Sequence, residues 1–290
     1  MMVPEINEFL IERTDPCYPP HHTGDHLEEA FVKLWREEGS GDRKLIPIHW
    51  TAVYNYRVKE GLGPNTPNGM LRSKLQKHLD SLNPDEKYFV VCTHDDAPAE
   101  NLPPDTVVFA AGGNARKIDH AIPLTCGPHA EVQDPVRTVF CSFVGSVTHP
   151  LRERALRALY QKPGVIIDAT EWQEKVQQDR AMTFKNIAQH SIFSLCPRGY
   201  GSTSYRLYES MQLGSIPVYI SDRQLLPWND EIDWSEFCVL VGQHEIEGLY
   251  ERLASMTGSQ ARRMQESLSG VWEKHFSVEA SCRHIAKRVS

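Results

Sequence analysis

The stretch SIFSLCPRGYGSTSYRLYESMQLGSIPVYIS, residues 191 to 221, limits the fold more than any other part of the chain. Ile192 to Cys196 is a short apolar run that Pro197 stops, as expected of a buried strand. Arg198-Gly199-Tyr200-Gly201-Ser202-Thr203 follows, with two glycines that let backbone approach a ligand closely. A helix of about ten residues is expected to run toward Gly214, which stands where a helix C-cap belongs. Ile216 to Ile220 is the next strand. At about 100° per residue, Ser202, Arg206 and Glu209 share one side of that helix, while Leu207 and Met211 turn to a core. A helix N-terminus behind a glycine-rich turn, with an arginine one turn in, is a ready anion site. A carboxylate one turn further accepts hydrogen bonds from sugar hydroxyls. The set suits a nucleoside diphosphate, Arg206 on the pyrophosphate and Glu209 on the ribose. The plain alternative is a solvated i,i+3 pair contributing a few tenths of a kcal/mol.

The chain has 290 residues, room for one large or two ordinary domains with real cores. Its net charge of −7, with no basic block, argues against a nucleic-acid partner. No apolar run approaches the ~20 residues that span a bilayer, and MMVPEINEFLIER lacks the apolar centre of a secretory signal. The expectation is a cytoplasmic protein, or one peripheral to a membrane. Cys17, Cys92, Cys126, Cys141, Cys196, Cys238 and Cys282 stand singly, without a C-x-x-C pair. Buried free thiols in a reducing compartment are expected, and no zinc site.

Apolar strands and amphipathic helices alternate along the chain. A proline-bearing segment around residues 14 to 25 leads to a helix over 26–38, with Leu27, Phe31, Leu34 and Trp35 at helical spacing. Lys44 to Trp50 reads as a strand, residues 71–82 as a helix, and 87–93, 106–113 and 121–126 as strands. A second unit opens near 136 with strands over 139–144 and 164–168, helices over 151–160 and 183–190, and then the central stretch. A strand at 237–241 and helical stretches over 246–256 and 260–290, interrupted near Ser277, close the chain. Pro217, with no N–H for a ladder bond, must fall at its strand's start or at an edge. Such alternation argues for mainly parallel sheets covered on both faces. The fold class is α/β, with two Rossmann-like domains facing each other across a cleft. Residues 1–135 form the first and 136–270 the second, nucleotide-binding one, with residues 271–290 a closing helical segment. Ligands in such sheets sit beyond the strand C-termini.

Several fragments of the central stretch follow one another in order: Cys196-Pro197-Arg198-Gly199, Ser204-Tyr205-Arg206-Leu207-Tyr208-Glu209, Gly214-Ser215-Ile216-Pro217-Val218, Ser221-Asp222 and Leu226-Pro227. This pattern resembles the core motif of the exostosin family, glycosyltransferase family 47. The resemblance implies the GT-B arrangement, with the second domain holding a sugar nucleotide, the first receiving the acceptor, and residues 271–290 as a helix crossing back to the first. It implies an inverting, metal-independent transfer from a nucleoside-diphosphate sugar, a UDP-sugar by first choice, to a hydroxyl of a glycan or lipid-linked acceptor, with no other cofactor. Arg198, Gly199, Tyr200 and Ser204 would shape the donor loop. Phe143-Val144-Gly145-Ser146 resembles the Phe-x-Gly segment that precedes the motif, which adds Gly145, Ser146 and Arg152 to the donor pocket. Larger members carry a membrane anchor, and none is visible here.

A base for the acceptor hydroxyl is sought in the first domain. Asp96 and Asp95 follow a buried strand and are the first candidates; His22, in the loop with His21 and Asp25, comes next. Two rival readings stand beside the transferase. One is a metal-dependent hydrolase centred on His94, Asp95 and Asp96 with His49; the other is an inactive nucleotide-sugar-binding module. His120, His129, His190, His244, His275 and His284 have no grouped partners and read as packing or surface histidines. The run Leu225-Leu226-Pro227-Trp228 with Trp234 either walls a pocket or belongs to the core.

Overall fold

The computed structural model describes residues 1–12, 22, 24–129, 136–173 and 177–290. The first half carries a four-stranded parallel sheet of Lys44–Leu45 (β1), Tyr88–Cys92 (β2), Val107–Ala110 (β3) and His120–Ala121 (β4), in that spatial order. Its helices are Leu27–Glu38 (α1), Trp50–Asn55 (α2) and Pro67–Asp80 (α3). Side chains of β2 alternate between two apolar layers, as the two-residue strand period requires. Phe89 and Val91 join Phe31 and Trp35 of α1, whereas Tyr88, Val90 and Cys92 join Val53 of α2 and Leu75 of α3. A continuous apolar run such as YFVVC is therefore a strand covered on both faces. The start of α3 is set by Thr66, whose hydroxyl accepts from the Gly69 N–H at 3.2 Å, and by Pro67 in its first turn.

The second half carries a five-stranded parallel sheet of Val139–Ser146 (β5), Val165–Thr170 (β6), Ser191–Pro197 (β7), Ile216–Ser221 (β8) and Val239–Gly242 (β9). The spatial order is β6-β5-β7-β8-β9. Pro150–Leu159 (α4), Gln178–Gln189 (α5) and Tyr205–Gln212 (α6) lie between these strands in sequence. The chain steps from β5 outward to β6, then returns across β5 to β7. The strand order thus reverses between β5 and β7, and ligands in open α/β sheets bind beyond the strand ends at such a reversal. Gly145 and Ser146 end β5 at that point, and the glycine-rich turn leaves β7 there.

Leu249–Ala254 (α7), Gly258–Leu268 (α8), Val271–His275 (α9) and Val278–Val289 (α10) complete the chain. Ser277 caps α10, its hydroxyl accepting from Ala280 N–H at 3.1 Å. Helix α10 packs on α1 of the first half. One apolar cluster consequently runs from Leu27, Phe31 and Trp35 through Cys282, Ile285 and Val289 to Phe276, Val218 and Tyr219 of the second half. The Trp228 and Trp234 run belongs to this core: Trp228 Nε1 donates to the His275 carbonyl at 3.0 Å and Trp234 Nε1 to the Pro227 carbonyl at 2.9 Å. Among the described residues no helix is long and apolar enough to cross a membrane. Cys92, Cys126, Cys141, Cys196, Cys238 and Cys282 are buried free thiols, and Cys17 lies outside the described residues.

Several elements differ from the sequence expectation. The strand over 44–50 is only Lys44–Leu45, and that over 121–126 is only His120–Ala121. Pro47 and Pro123 stand in those runs without a ladder N–H, and at Trp50 the chain is already helical. The closing stretch of residues 260–290 is three helices, with breaks before Gly270 as well as at Ser277. Helix α6 begins at Tyr205 with Ser204 as its N-cap, so Ser202 belongs to the turn and does not share a helical face with Arg206 and Glu209. Pro217 is the second residue of an internal strand; pairing with β9 begins only at Val218, so no bond is lost on that side.

Ile285 is fully buried where α10 meets the common cluster. Ile285→Ala is expected to cost about 2–5 kcal/mol, read as a lowered urea midpoint. Because the cluster is continuous, unfolding should remain one transition; two resolved transitions would contradict this description of the core.

Candidate active site

At the β5/β7 reversal, α6 presents two charged side chains inward. Arg206 and Glu209 are three residues apart and both buried, while Leu207 and Met211 hold the helix to the core. The Arg206 guanidinium lies over the Phe143 ring at 4.7 Å and 6.0 Å from the Phe184 ring centre. Nε donates to the Val144 carbonyl at 2.9 Å and Nη1 to Ser204 Oγ at 3.3 Å. Among the described residues Nη2 has no protein acceptor. A Cβ at Gly145 would stand 2.0 Å from that nitrogen, so only glycine leaves the arginine its place.

Arg206 and Glu209 line a cavity of about 650 Å³ with Gly145, Ser146, His129 and the inner side of α5. That volume is ordinary for a small-ligand site. Lys185 and Arg180 add positive charge, although Arg180 is paired with Asp168 at 2.6 Å. Burial pushes the Glu209 carboxyl up to about 7, against the opposing pull of Arg206. The His129 Nε2 stands 3.8 Å from Glu209 Oε1.

Of the donor residues expected from sequence, Gly145, Ser146, Arg206 and Glu209 line this cavity. Arg152, Arg198, Gly199, Tyr200 and Ser204 are outside its lining. Arg198 sits beneath the glycine-rich turn and ties it. Its Nε donates to the Gly201 carbonyl at 3.0 Å, Nη2 to that of Tyr200 at 2.9 Å, and Nη1 to Asp222 Oδ1 at 2.7 Å. Its charge therefore serves the turn and Asp222. Arg152 joins the turn to β5, donating to the Ser146 carbonyl at 2.6 Å and to that of Pro197 at 3.0 Å. Gly199 lies against Arg152, and Ser204 against Arg206.

Asp95 and Asp96 reach this turn from the first half. Asp95 accepts from the Gly201 N–H, and a Cβ on Gly201 would fall 1.8 Å from Asp95 Oδ1. Burial, with help from the charge of Asp96, pushes the Asp95 carboxyl up to about 6, while Arg198 pulls it down. Tyr200 OH donates to Asp96 Oδ2 at 3.1 Å and Asn114 Nδ2 to Asp96 Oδ1 at 3.0 Å. His22 is placed elsewhere in the first half, stacked on His26 at 4.2 Å and 3.3 Å from the Asp25 carbonyl. His21 lies outside the described residues.

His94 takes the Asp96 N–H on Nδ1 at 3.1 Å and leans on Tyr54, while His49 Nδ1 meets the Ile11 carbonyl at 2.9 Å. Among the described residues no group of three or more His, Cys, Asp or Glu is placed to hold a metal ion. Sequence reasoning missed His129, Phe184 and Lys185. A lone histidine between two sheets carries no local signal. Helix α5 begins at Gln178, earlier than the expected 183, and its lining residues 178, 181, 182 and 185 fall at helical spacing.

A domain model described as the exostosin GT47 domain matches residues 86–256, more than half of the chain. The Exostosin-1 homolog of Caenorhabditis elegans is 28% identical over 105 residues, 36% of this chain and 28% of that protein. Human Exostosin-2 is 28% identical over 206 residues, 63% of this chain and 28% of that protein. The chain thus spans less than a third of the length of these relatives. Among solved structures, WaaG, a glycosyltransferase involved in lipopolysaccharide biosynthesis, aligns with a TM-score of 0.46 at 8% identity, covering 93% of this chain and 97% of that one.

The raised Glu209 carboxyl has a consequence for stability. A folded-state value above the unfolded one favours folding below about 4.5, and that advantage is lost as pH rises through about 7. Glu209→Gln removes the cost of the buried charge. The variant is expected to be more stable than the unmodified protein at pH 8, by up to about 3 kcal/mol. The difference should shrink toward zero as pH falls to 5, read as melting temperature against pH.

Proposed function

From the membership of this chain in the exostosin GT47 family, we propose that it is an inverting glycosyltransferase drawing on a nucleoside-diphosphate sugar. Its two halves would act as the two Rossmann-like domains of a GT-B enzyme, split between residues 135 and 136, with residues 271–290 crossing back. The observation that carries this reading is the pair Arg206 and Glu209 in the cavity at the β5/β7 reversal, with Arg206 Nη2 left to a ligand. A guanidinium held by Phe143 and the Val144 carbonyl is already in place for a diphosphate. The cations Lys185 and Arg206 offset the charge of the leaving diphosphate without a metal. Glu209 accepts from the ribose hydroxyls. Ser146 and Gly145 form the floor beside the phosphates.

In an inverting transfer the acceptor oxygen attacks the anomeric carbon, the bond from that carbon to the diphosphate oxygen breaks, and the diphosphate leaves with the electron pair. The acceptor proton goes to a base. Of the three candidates, Asp95 suits this best. It stands against the glycine-rich turn, which adjoins the cavity through Arg152 and Ser204, and its raised carboxyl is a stronger base than an exposed aspartate. Asp96 holds Tyr200 and Asn114, and His22 packs on His26. The acceptor is a hydroxyl of a glycan or a lipid-linked sugar, and UDP is the first choice of nucleotide.

UDP at 100 times its dissociation constant is expected to stabilise the protein by about 2.7 kcal/mol, unchanged by EDTA and visible as a rise in melting temperature. Arg206→Ala and Gly145→Ala should each weaken UDP about tenfold or more; unaltered titration of UDP against both would remove the donor-site assignment. Asp95→Asn keeps the size and should bind UDP normally while losing about 100-fold or more in turnover. Release of UDP from a panel of UDP-sugars, with glycan acceptors present, reads that loss.

A further inference from the structure

His129, on the segment that follows the first sheet, is drawn into the cavity by the same helix that carries Arg206 and Glu209. Gln212 ends α6, one turn beyond Glu209. Its Oε1 accepts from the His129 N–H at 2.6 Å. Its Nε2 donates to the Gly127 carbonyl at 3.3 Å and meets Cys126 Sγ at 3.1 Å. This three-point clamp fixes residues 126 to 129 against α6 and turns His129 into the cavity, with Nε2 3.8 Å from Glu209 Oε1 and both side chains buried. The ring also lies 6.4 Å from that of Phe184, which covers Arg206. A titratable ring held beside a buried carboxyl by three dedicated contacts is more than filler.

We infer that His129 is a positioning residue of the donor cavity: its imidazole, set by Gln212, holds the Glu209 carboxylate oriented and ionised toward the vicinal hydroxyls of a ribonucleotide. This rests on the donor-site reading above. Among the described residues, the groups facing Glu209 are Arg206 on its own helix, His129 and Cys126 on the joining segment, and Cys196 on β7; Lys185, Arg180 and Glu171 line the same cavity. The two thiols are pushed up by burial and stay neutral. Arg206 is a permanent cation, and Arg180 is paired with Asp168. Among the described residues, His129 is the neighbour of Glu209 that can take up a proton to become a cation. As pH falls, a protonated imidazole keeps its neighbour ionised, so the carboxylate survives to lower pH than burial alone allows. Protonated, the carboxyl would lose one of its two accepting oxygens, and a ribose diol would lose a hydrogen bond.

The experiment is calorimetric titration of the whole chain with UDP, 2′-deoxy-UDP and pyrophosphate at pH 6, 7 and 8. The proteins compared are the unmodified one, His129→Ala, His129→Gln and Gln212→Ala. The unmodified protein should prefer UDP to 2′-deoxy-UDP about tenfold. In His129→Ala that preference should fall toward one, UDP should weaken about tenfold, and pyrophosphate should bind unchanged. The pH below which UDP binding declines, about 7 in the unmodified protein, should move upward. His129→Gln keeps bulk but not charge, and should restore packing without restoring the pH profile. Gln212→Ala, a change at the clamp, should shift the profile in the same direction. Equal weakening of all three ligands, or an unaltered preference and pH profile in His129→Ala, overturns the inference. If the unmodified protein binds UDP through Arg206 and these variants behave normally, only the role of His129 fails. If the unmodified protein binds no UDP, the donor-site reading fails and this inference with it.

Discussion

The second half of this molecule is arranged around a guanidinium kept out of bulk water. A buried cation needs partners, and each partner found by Arg206 fixes something else. The Val144 carbonyl locks it to the end of β5, Phe143 gives it a π face, and Ser204 ties it to the start of its own helix. Its terminal nitrogen then demands glycine at position 145. The strand reversal, the helix start and the open floor of the cavity follow from housing one side chain. Glu209 adds a second buried charge whose own cost is only partly offset by the first. A ligand that brings an anion to Arg206 and hydroxyl donors to Glu209 would offset more of that cost.

The glycine-rich turn is arranged by a different arginine. Arg198 gives its donors to three carbonyls of the turn, those of Gly199, Tyr200 and Gly201, and to Asp222, which fixes the loop. That loop meets Asp95 from the first half with no room for a side chain at Gly201. Contact between the halves is therefore polar where the chemistry is proposed, made by the turn's backbone, Tyr200, Asp95 and Asp96, and apolar along α1 and α10.

The strand, turn, helix and strand of residues 191 to 221 were legible because their signals are local: an apolar run, a proline stop, paired glycines and a short amphipathic helix. The alternation of strands and helices also gave parallel sheets. Spacing alone could not tell that Arg198 and Arg206 point to different tasks, since both are arginines near glycines; only the carbonyls around them decide it. Nor could it place His129, whose neighbour Glu209 is eighty residues away in sequence and is met only through folding of α6. Short runs such as 44–50 and 121–126 misled because their prolines end pairing early, and hydrophobicity does not register a missing N–H. The tryptophans near residue 230 read equally well as pocket wall or core, and it was the distant helix at 271–275 that made them core.

The docking of α10 on α1 also sets an order of events on the ribosome. The apolar face formed by Phe31 and Trp35 has part of its cover in Ile285 and Val289, which are made about 250 residues later. At about 5–20 residues per second, that face waits on the order of ten seconds or more for its lid. Until then the nascent chain offers a sticky surface that a chaperone can shield and a neighbouring nascent copy can capture. The yield of the folded protein is thereby tied to how fast these later residues are delivered.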